Sequence, residues 1–162
     1  MAYHPIVARI INLLKKNQSW FETFEHEAVT TSEEAARVRP EYSLHQGAKA
    51  MIVRIKVSEA NKKFVMLVLP ADLRFDNQKI KDFYSAKDVR LATVEEISHL
   101  TDNVERGGVP PFGNLFNLEV IVDPKLLENK RIVFNAGDRR FSIAMKTEDY
   151  VSLVKPRISA IT

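Results

Sequence analysis

Few residues in this chain combine the type and the setting that chemistry needs. Lys49 stands in Gly47-Ala48-Lys49-Ala50-Met51-Ile52-Val53-Arg54-Ile55-Lys56-Val57, a strand whose alternation puts it on one face with Met51, Val53, Ile55 and Val57. An ammonium at the entrance of an apolar face either snorkels to water along its own stem or faces a polar pocket with something to bind. Gly107-Gly108-Val109-Pro110-Pro111-Phe112-Gly113 holds three of the five glycines. Glycines let backbone amides approach a ligand and prolines stiffen the path, so the segment is either a pocket wall or a plain connector. His26 closes an aromatic strand, where a histidine is either a satisfied strand end or a ligand-facing group. Ser142 points away from Phe141, Ile143 and Met145, and reaches a pocket only if those three do not face the core on the Lys49 side. No Ser-His-Asp order and no acidic pair suggests a triad or dyad.

Composition narrows the chemistry further. The chain has 162 residues, 45% hydrophobic and 28% charged, which suits one domain over residues 1–162 with a single substantial core. Lysine plus arginine exceeds aspartate plus glutamate by 24 − 21 = +3. That balance permits contact with a nucleic-acid end but is too weak to imply wrapping of a duplex. The absence of cysteine removes thiolate catalysis, disulfides and cysteine zinc sites. His4, His26, His45 and His99 lack the close pairing of metal ligands on one helix or turn, so no metal and no cofactor is expected. No apolar run approaches the roughly 20 residues of a membrane span, and no signal-peptide core opens the chain. A cytoplasmic protein without membrane contact is expected.

The elements that must position these residues follow from periodicity and caps. Pro5 to Lys16 forms an amphipathic helix with Ile6, Ile10, Leu13 and Leu14 on one stripe. Ser19 to Glu25 is a short strand. Thr31 caps a helix that Pro40 ends, with Glu34 completing a capping box. The Lys49 strand and Lys62 to Leu69 make a hairpin whose second strand, apolar on both faces, is central. Asp76 caps a helix to about Tyr84, Val89 to Ala92 is a strand, and Thr93 with Glu96 opens a helix to Leu100. Leu118 to Val122 is a strand, and Asp123-Pro124 opens a short helix over Lys125 to Glu128. Arg131 to Asn135 and Arg140 to Lys146 pair about the turn Ala136-Gly137-Asp138-Arg139. Thr147 caps a last helix from Glu148 to Val154. About seven strands and five or six short helices make an α+β domain around one curled, mostly antiparallel or mixed sheet.

In this order the blocks resemble the YbaK family of aminoacyl-tRNA deacylases, the superfamily of prolyl-tRNA synthetase editing domains. The blocks are Phe24-Glu25-His26 leading to Thr31-Ser32-Glu33-Glu34-Ala35-Ala36; Gly47-Ala48-Lys49-Ala50-Met51; Val68-Leu69-Pro70-Ala71-Asp72; Ala92-Thr93-Val94-Glu95-Glu96; Gly107 to Gly113; and Phe134-Asn135-Ala136-Gly137 with Ser142-Ile143 and Asp149-Tyr150. Nearly the whole chain is covered. The resemblance implies a sheet curled around a pocket and hydrolysis of the ester that joins a wrong, small amino acid (Ala, Cys, Ser or Thr) to the 3′ end of a tRNA. It makes Lys49 the family's strand lysine and Gly107 to Pro111, including Gly108, Val109 and Pro110, its glycine-x-x-x-proline loop at the terminal adenosine. His26, Thr30 and Thr31 fall where the amino-acid side chain binds, and Gly137 and Ser142 join the substrate-binding set. Asp138-Arg139-Arg140 and Thr101-Asp102 depart from the family's wording, so a histidine role at the first place does not carry over.

The expectation is therefore a free-standing trans-editing deacylase whose partner is a tRNA acceptor end, with an aminoacyl-tRNA synthetase as a further partner, as a monomer or weak homodimer. Lys49 would hold the carbonyl or phosphate side of the substrate, with a general-base role as the alternative, and amides near Gly107 and Gly108 would orient the ester for attack by water. The rival expectation is a non-catalytic module of the same fold that binds aminoacyl-tRNA or a synthetase. General nucleic-acid binding is disfavoured by the modest charge and the lack of an aromatic-basic stripe.

Overall fold

The computed structural model describes residues 2–162. Helix α1 (Pro5–Lys16) places Pro5 in its first turn, and the His4 ring accepts the Ile6 N–H in place of a serine or aspartate cap. Its buried stripe is Ile6, Val7, Ile10 and Leu14, each worth about 1.5–3 kcal/mol of burial. Strand β1 (Phe21–Glu25) and helix α2 (Ser32–Val38) follow, then the hairpin of β2 (Ala48–Ser58) and β3 (Asn61–Pro70). Helix α3 (Asn77–Tyr84) is capped by Asp76, which accepts the Gln78 and Lys79 N–H groups. Strand β4 (Asp88–Leu91) leads into α4 (Val94–Leu100), where Thr93 and Glu96 form a complete capping box. The chain continues through β5 (Glu119–Val122), β6 (Arg131–Asp138), β7 (Phe141–Lys146), α5 (Thr147–Val154) and β8 (Arg157–Ile158).

The α+β class holds, but the expected single curled sheet is two sheets. An antiparallel sheet runs β1-β7-β6, and a mixed one runs β4-β2-β3-β5-β8, in which β3/β5 and β5/β8 are parallel. An isolated bridge between Gly47 and Val133 links them. The main core lies between the sheets, with Ile52, Met66, Val68, Val120 and Val122 facing Ile132, Phe134, Ile143 and Met145. The other face of the mixed sheet buries Val53, Ile55, Val65, Leu67 and Leu69 with Ile80 of α3 and Ile161 near the carboxyl end. β3 is thus covered on both faces, as its unbroken apolar run requires.

Four local expectations need correction. Thr147 does not cap α5: it is the first helical residue, the cap position falls to Lys146 without a side-chain bond, and the buried Thr147 Oγ1 has no hydrogen-bond partner. Thr31 does cap α2 by accepting the Glu34 N–H, but the Glu34 carboxylate reaches back to the N–H and hydroxyl of Thr30, one residue earlier than a capping box would place it. Strand β6 runs on to Asp138 through a bulge, so the β6/β7 turn is shorter than the four residues expected. The two-residue β8 was not foreseen, because so short a strand carries no alternation. It pairs with β5, and the residues after it are held by Asp123, whose Oδ2 accepts the Ile161 and Thr162 N–H groups while Oδ1 accepts that of Lys125. Burial pushes the Asp123 carboxyl up, but these N–H groups outweigh it and hold it below the usual range.

Candidate active site

Where Gly47 and Val133 bring the sheets together, a cavity of about 470 Å³ opens. One wall is the start of β2, from Gly47 to Ile52, and another is Val133, Phe134 and Asn135 of β6. Val29 to Ser32 line it too, with Ala35 and Arg39, and Ala71, Leu91, Ala92, Ile97, Arg106, Gly107 and Val109 complete the lining. Gly47 is small by necessity, since a Cβ there would stand 2.9 Å from that of Ala71. The wall holds three cations, Lys49, Arg39 and Arg106, and no aspartate, glutamate or histidine.

Lys49 lies on this wall, and its Nζ donates to the Leu73 carbonyl at 2.6 Å. Both faces of β2 are buried. The face Lys49 shares with Met51, Val53 and Ile55 packs toward α3, whereas Ala48, Ala50 and Ile52 pack between the sheets. Burial pushes the ammonium below its usual pKa and nearby Arg74 adds to this, while Asp72 and Glu33 pull it back up. One of its three protons is engaged, which leaves two to offer a ligand.

The glycine loop is anchored by a residue that spacing alone did not single out. Asn135 Nδ2 donates to the Gly107 carbonyl at 2.7 Å, fixing the loop against β6. Gly107 has φ of +90°, which favours glycine. The Gly108 N–H donates to the Glu105 carbonyl at 2.9 Å, and Gly108 is buried. Its amide is therefore spent inside the loop and does not face an ester, contrary to expectation. Pro110 and Pro111 are buried away from the wall, and the Pro111 carbonyl accepts the hydroxyl of the buried Tyr150 at 2.6 Å. Val109 lies on the wall, as do Thr30 and Thr31.

Gly137, His26 and Ser142 are not wall residues. Gly137, at φ of +107°, packs so closely under α1 that a Cβ would collide with Ile6 Cγ2. Its glycine serves helix docking. Phe141, Ile143 and Met145 face the core between the sheets, and Ser142 is fully buried on the opposite face of β7. There its Oγ lies 2.7 Å from His26 Nε2, 3.2 Å from Arg39 Nη1 and 3.2 Å from Asn135 Oδ1. His26 Nδ1 meets the Glu27 carbonyl at 2.8 Å, so that nitrogen carries a proton. The serine–histidine distance would suit a nucleophile and its base. Complete burial behind Arg39 and Asn135 bars Ser142 from an ester, so the pair braces the wall from behind. Arg39 was also missed: it lies just past the end of α2, with non-helical φ of −131° and ψ of 63°, so helical periodicity does not say where it points.

Comparisons with known proteins agree with one another. The model of the aminoacyl-tRNA editing domain matches residues 26–153. The multifunctional Ser/Thr-tRNA deacylase ProXp-y of Escherichia coli (strain K12) is 33% identical over 151 residues, covering 93% of this chain and 89% of that protein. A proline–tRNA ligase of Bacillus cytotoxicus is 34% identical over 71 residues, 44% of this chain and 12% of the ligase. The crystal structure of a candidate trans-editing enzyme for prolyl-tRNA synthetase superposes with a TM-score of 0.80 at 22% identity, covering 99% of both chains.

Proposed function

The chain belongs to the aminoacyl-tRNA editing domain family, and from that premise we propose that it is a trans-editing deacylase, hydrolysing the ester between a small amino acid and the 3′ end of a tRNA. The observation that carries the reading is the composition of the cavity wall, with three cations and no carboxylate. Such a wall suits an oxygen-rich, anionic ligand and repels none of its phosphates. The cavity's size suits a small aminoacyl group, and the name of the Escherichia coli relative points to serine and threonine.

Hydrolysis adds water to the ester carbonyl and releases the amino acid and a ribose hydroxyl. Negative charge builds on the carbonyl oxygen on the way, and a donor aimed at that oxygen lowers the barrier. Lys49 is the residue for this role. Its Nζ is positioned by the Leu73 carbonyl, keeps two protons to offer, and sits in a half-buried place where a charge acts more strongly than in water. The wall offers no histidine or carboxylate as a general base, so water is the nucleophile and proton removal falls to water or to a ribose hydroxyl of the substrate. Gly107, held by Asn135, borders the place for the terminal nucleotide. No helix among the described residues is long and apolar enough to cross a membrane.

The test is release of amino acid from tRNAs charged with serine, threonine, alanine or cysteine. Turnover of at least one of them is expected. Retention of every charged tRNA without hydrolysis, at any protein concentration, would leave a binding module instead.

A further inference from the structure

Arg39 is 5% exposed, yet it lines the cavity. Among the described residues no carboxylate pairs with it. Its Nη1 donates to Ser142 Oγ at 3.2 Å, and its buried Nε has no partner. Its Nη2 lies 4.0 Å from where a Cβ on Gly47 would stand, which places the guanidinium beside the residue that leads into β2. Burial draws the group down to about 10, and it still carries its charge at neutral pH. A buried cation with unspent donors is costly unless something supplies an acceptor.

The neighbours of Arg39 restrict what that acceptor can be. Ala35, Ala48 and Val133, buried and apolar, line the same cavity and offer no side-chain acceptor. Ser142 Oγ already accepts from Arg39 Nη1 while its own proton goes to His26 Nε2 or Asn135 Oδ1, and Arg39 Nε finds no acceptor there or elsewhere. Lys49, also on the wall, has its Nζ drawn to the Leu73 carbonyl. The wall thus carries one cation for the ester and a second, more deeply buried, with donors still to spend.

Resting on the deacylase reading, we propose that Arg39 determines specificity by donating a hydrogen bond to the side-chain hydroxyl of a seryl or threonyl ester. A polar group buried for this purpose penalises any side chain that leaves it unpaired, so an isostere lacking the hydroxyl is rejected far more strongly than an apolar pocket would reject it. His26, Ser142 and Asn135 fix the direction of the guanidinium. Ser142 and His26, neither of them on the cavity wall, are positioning residues.

The experiment compares kcat/KM for seryl against alanyl and threonyl against valyl groups carried on one and the same tRNA. Wild-type ratios above about 1,000 are expected, beyond the roughly 10–200-fold that a pocket discriminating by shape alone reaches. R39M should cut both ratios by at least about tenfold, and R39K, which keeps a donor, should restore part of the loss. Equal loss on all four esters, or unchanged ratios in a folded R39M, would make Arg39 a structural residue and overturn the proposal. Should R39M not fold, the wild-type and R39K ratios decide: ratios near one in the wild type, or no change in R39K, overturn it. A faster aspartyl than seryl ester would overturn the choice of a hydroxyl. Hydrolysis of no ester by the folded wild-type protein would refute the deacylase reading itself, whereas hydrolysis without hydroxyl preference refutes only the role given to Arg39.

Discussion

Asn135 Nδ2 donates to the Gly107 carbonyl at 2.7 Å, tying the middle of the bulged strand β6 to the irregular loop across the cavity. The same side chain offers Oδ1 to the Ser142 hydroxyl. One asparagine thus couples the loop, the wall and the buried pair behind it. N135A should free the loop. We expect a fall of about tenfold in deacylation, faster proteolytic cleavage near residues 105–109, and a loss of roughly 1 kcal/mol in stability. Unchanged kinetics and cleavage would show that the bond does not govern the loop.

Lys49 should separate activity from folding. K49A removes the one wall cation assigned to the ester carbonyl, and a drop of about 100-fold or more in kcat/KM is expected. K49M keeps the apolar stem and should lose activity equally, with a melting temperature closer to wild type. Full turnover in either variant would remove Lys49 from the mechanism.

Gly137 should behave as a packing residue. G137A puts a Cβ against Ile6 Cγ2 and holds alanine at a φ of +107°, so a loss of about 1–3 kcal/mol or more is expected from chemical unfolding. Combining it with I6A relieves the collision but not the backbone strain, and the two losses should sum to more than the double variant shows. Strict additivity would place the cause elsewhere.

Asp138 should mark the acid limb of stability. The Arg140 guanidinium first, and then the N–H groups of Arg140 and His4, hold its carboxyl down to about 2. Because the folded value lies below the unfolded one of about 3.9, the stabilisation is complete above roughly pH 4 and is lost as pH falls toward 2. D138N should be less stable at pH 7 and should show a shallower decline between pH 4 and pH 2. A decline as steep as that of the wild type would assign the acid limb to other carboxyls, with Glu96, held at about 2 by Arg90 and the Thr93 N–H, next to be tried.

Thr147 should be improvable. Its buried hydroxyl has no partner, and valine keeps its shape without the polar atom. T147V is expected to raise the melting temperature by a few degrees, and a lower one would reveal a bond to that hydroxyl in solution.

The sequence by itself determined most of the elements, because their signals are local. Alternation marked β2 and an unbroken apolar run marked β3, Asp76 and Thr93 announced their helices, and Pro5 opened α1. It also singled out Lys49 as a charge in an apolar strand and Gly107 as part of an irregular loop. What alternation could not decide is which face of a strand buried on both sides borders the cavity, since either face reads as core. In the tertiary structure residues of both faces, from Ala48 to Ile52, line the cavity, which opens where the Gly47–Val133 bridge joins segments far apart in the chain. The tertiary structure also withdrew His26, Ser142, Gly108 and Gly137 from the wall and brought in Arg39 and Asn135. Whether a polar side chain meets a ligand or braces one that does depends on packing between distant strands, and no local period carries that information.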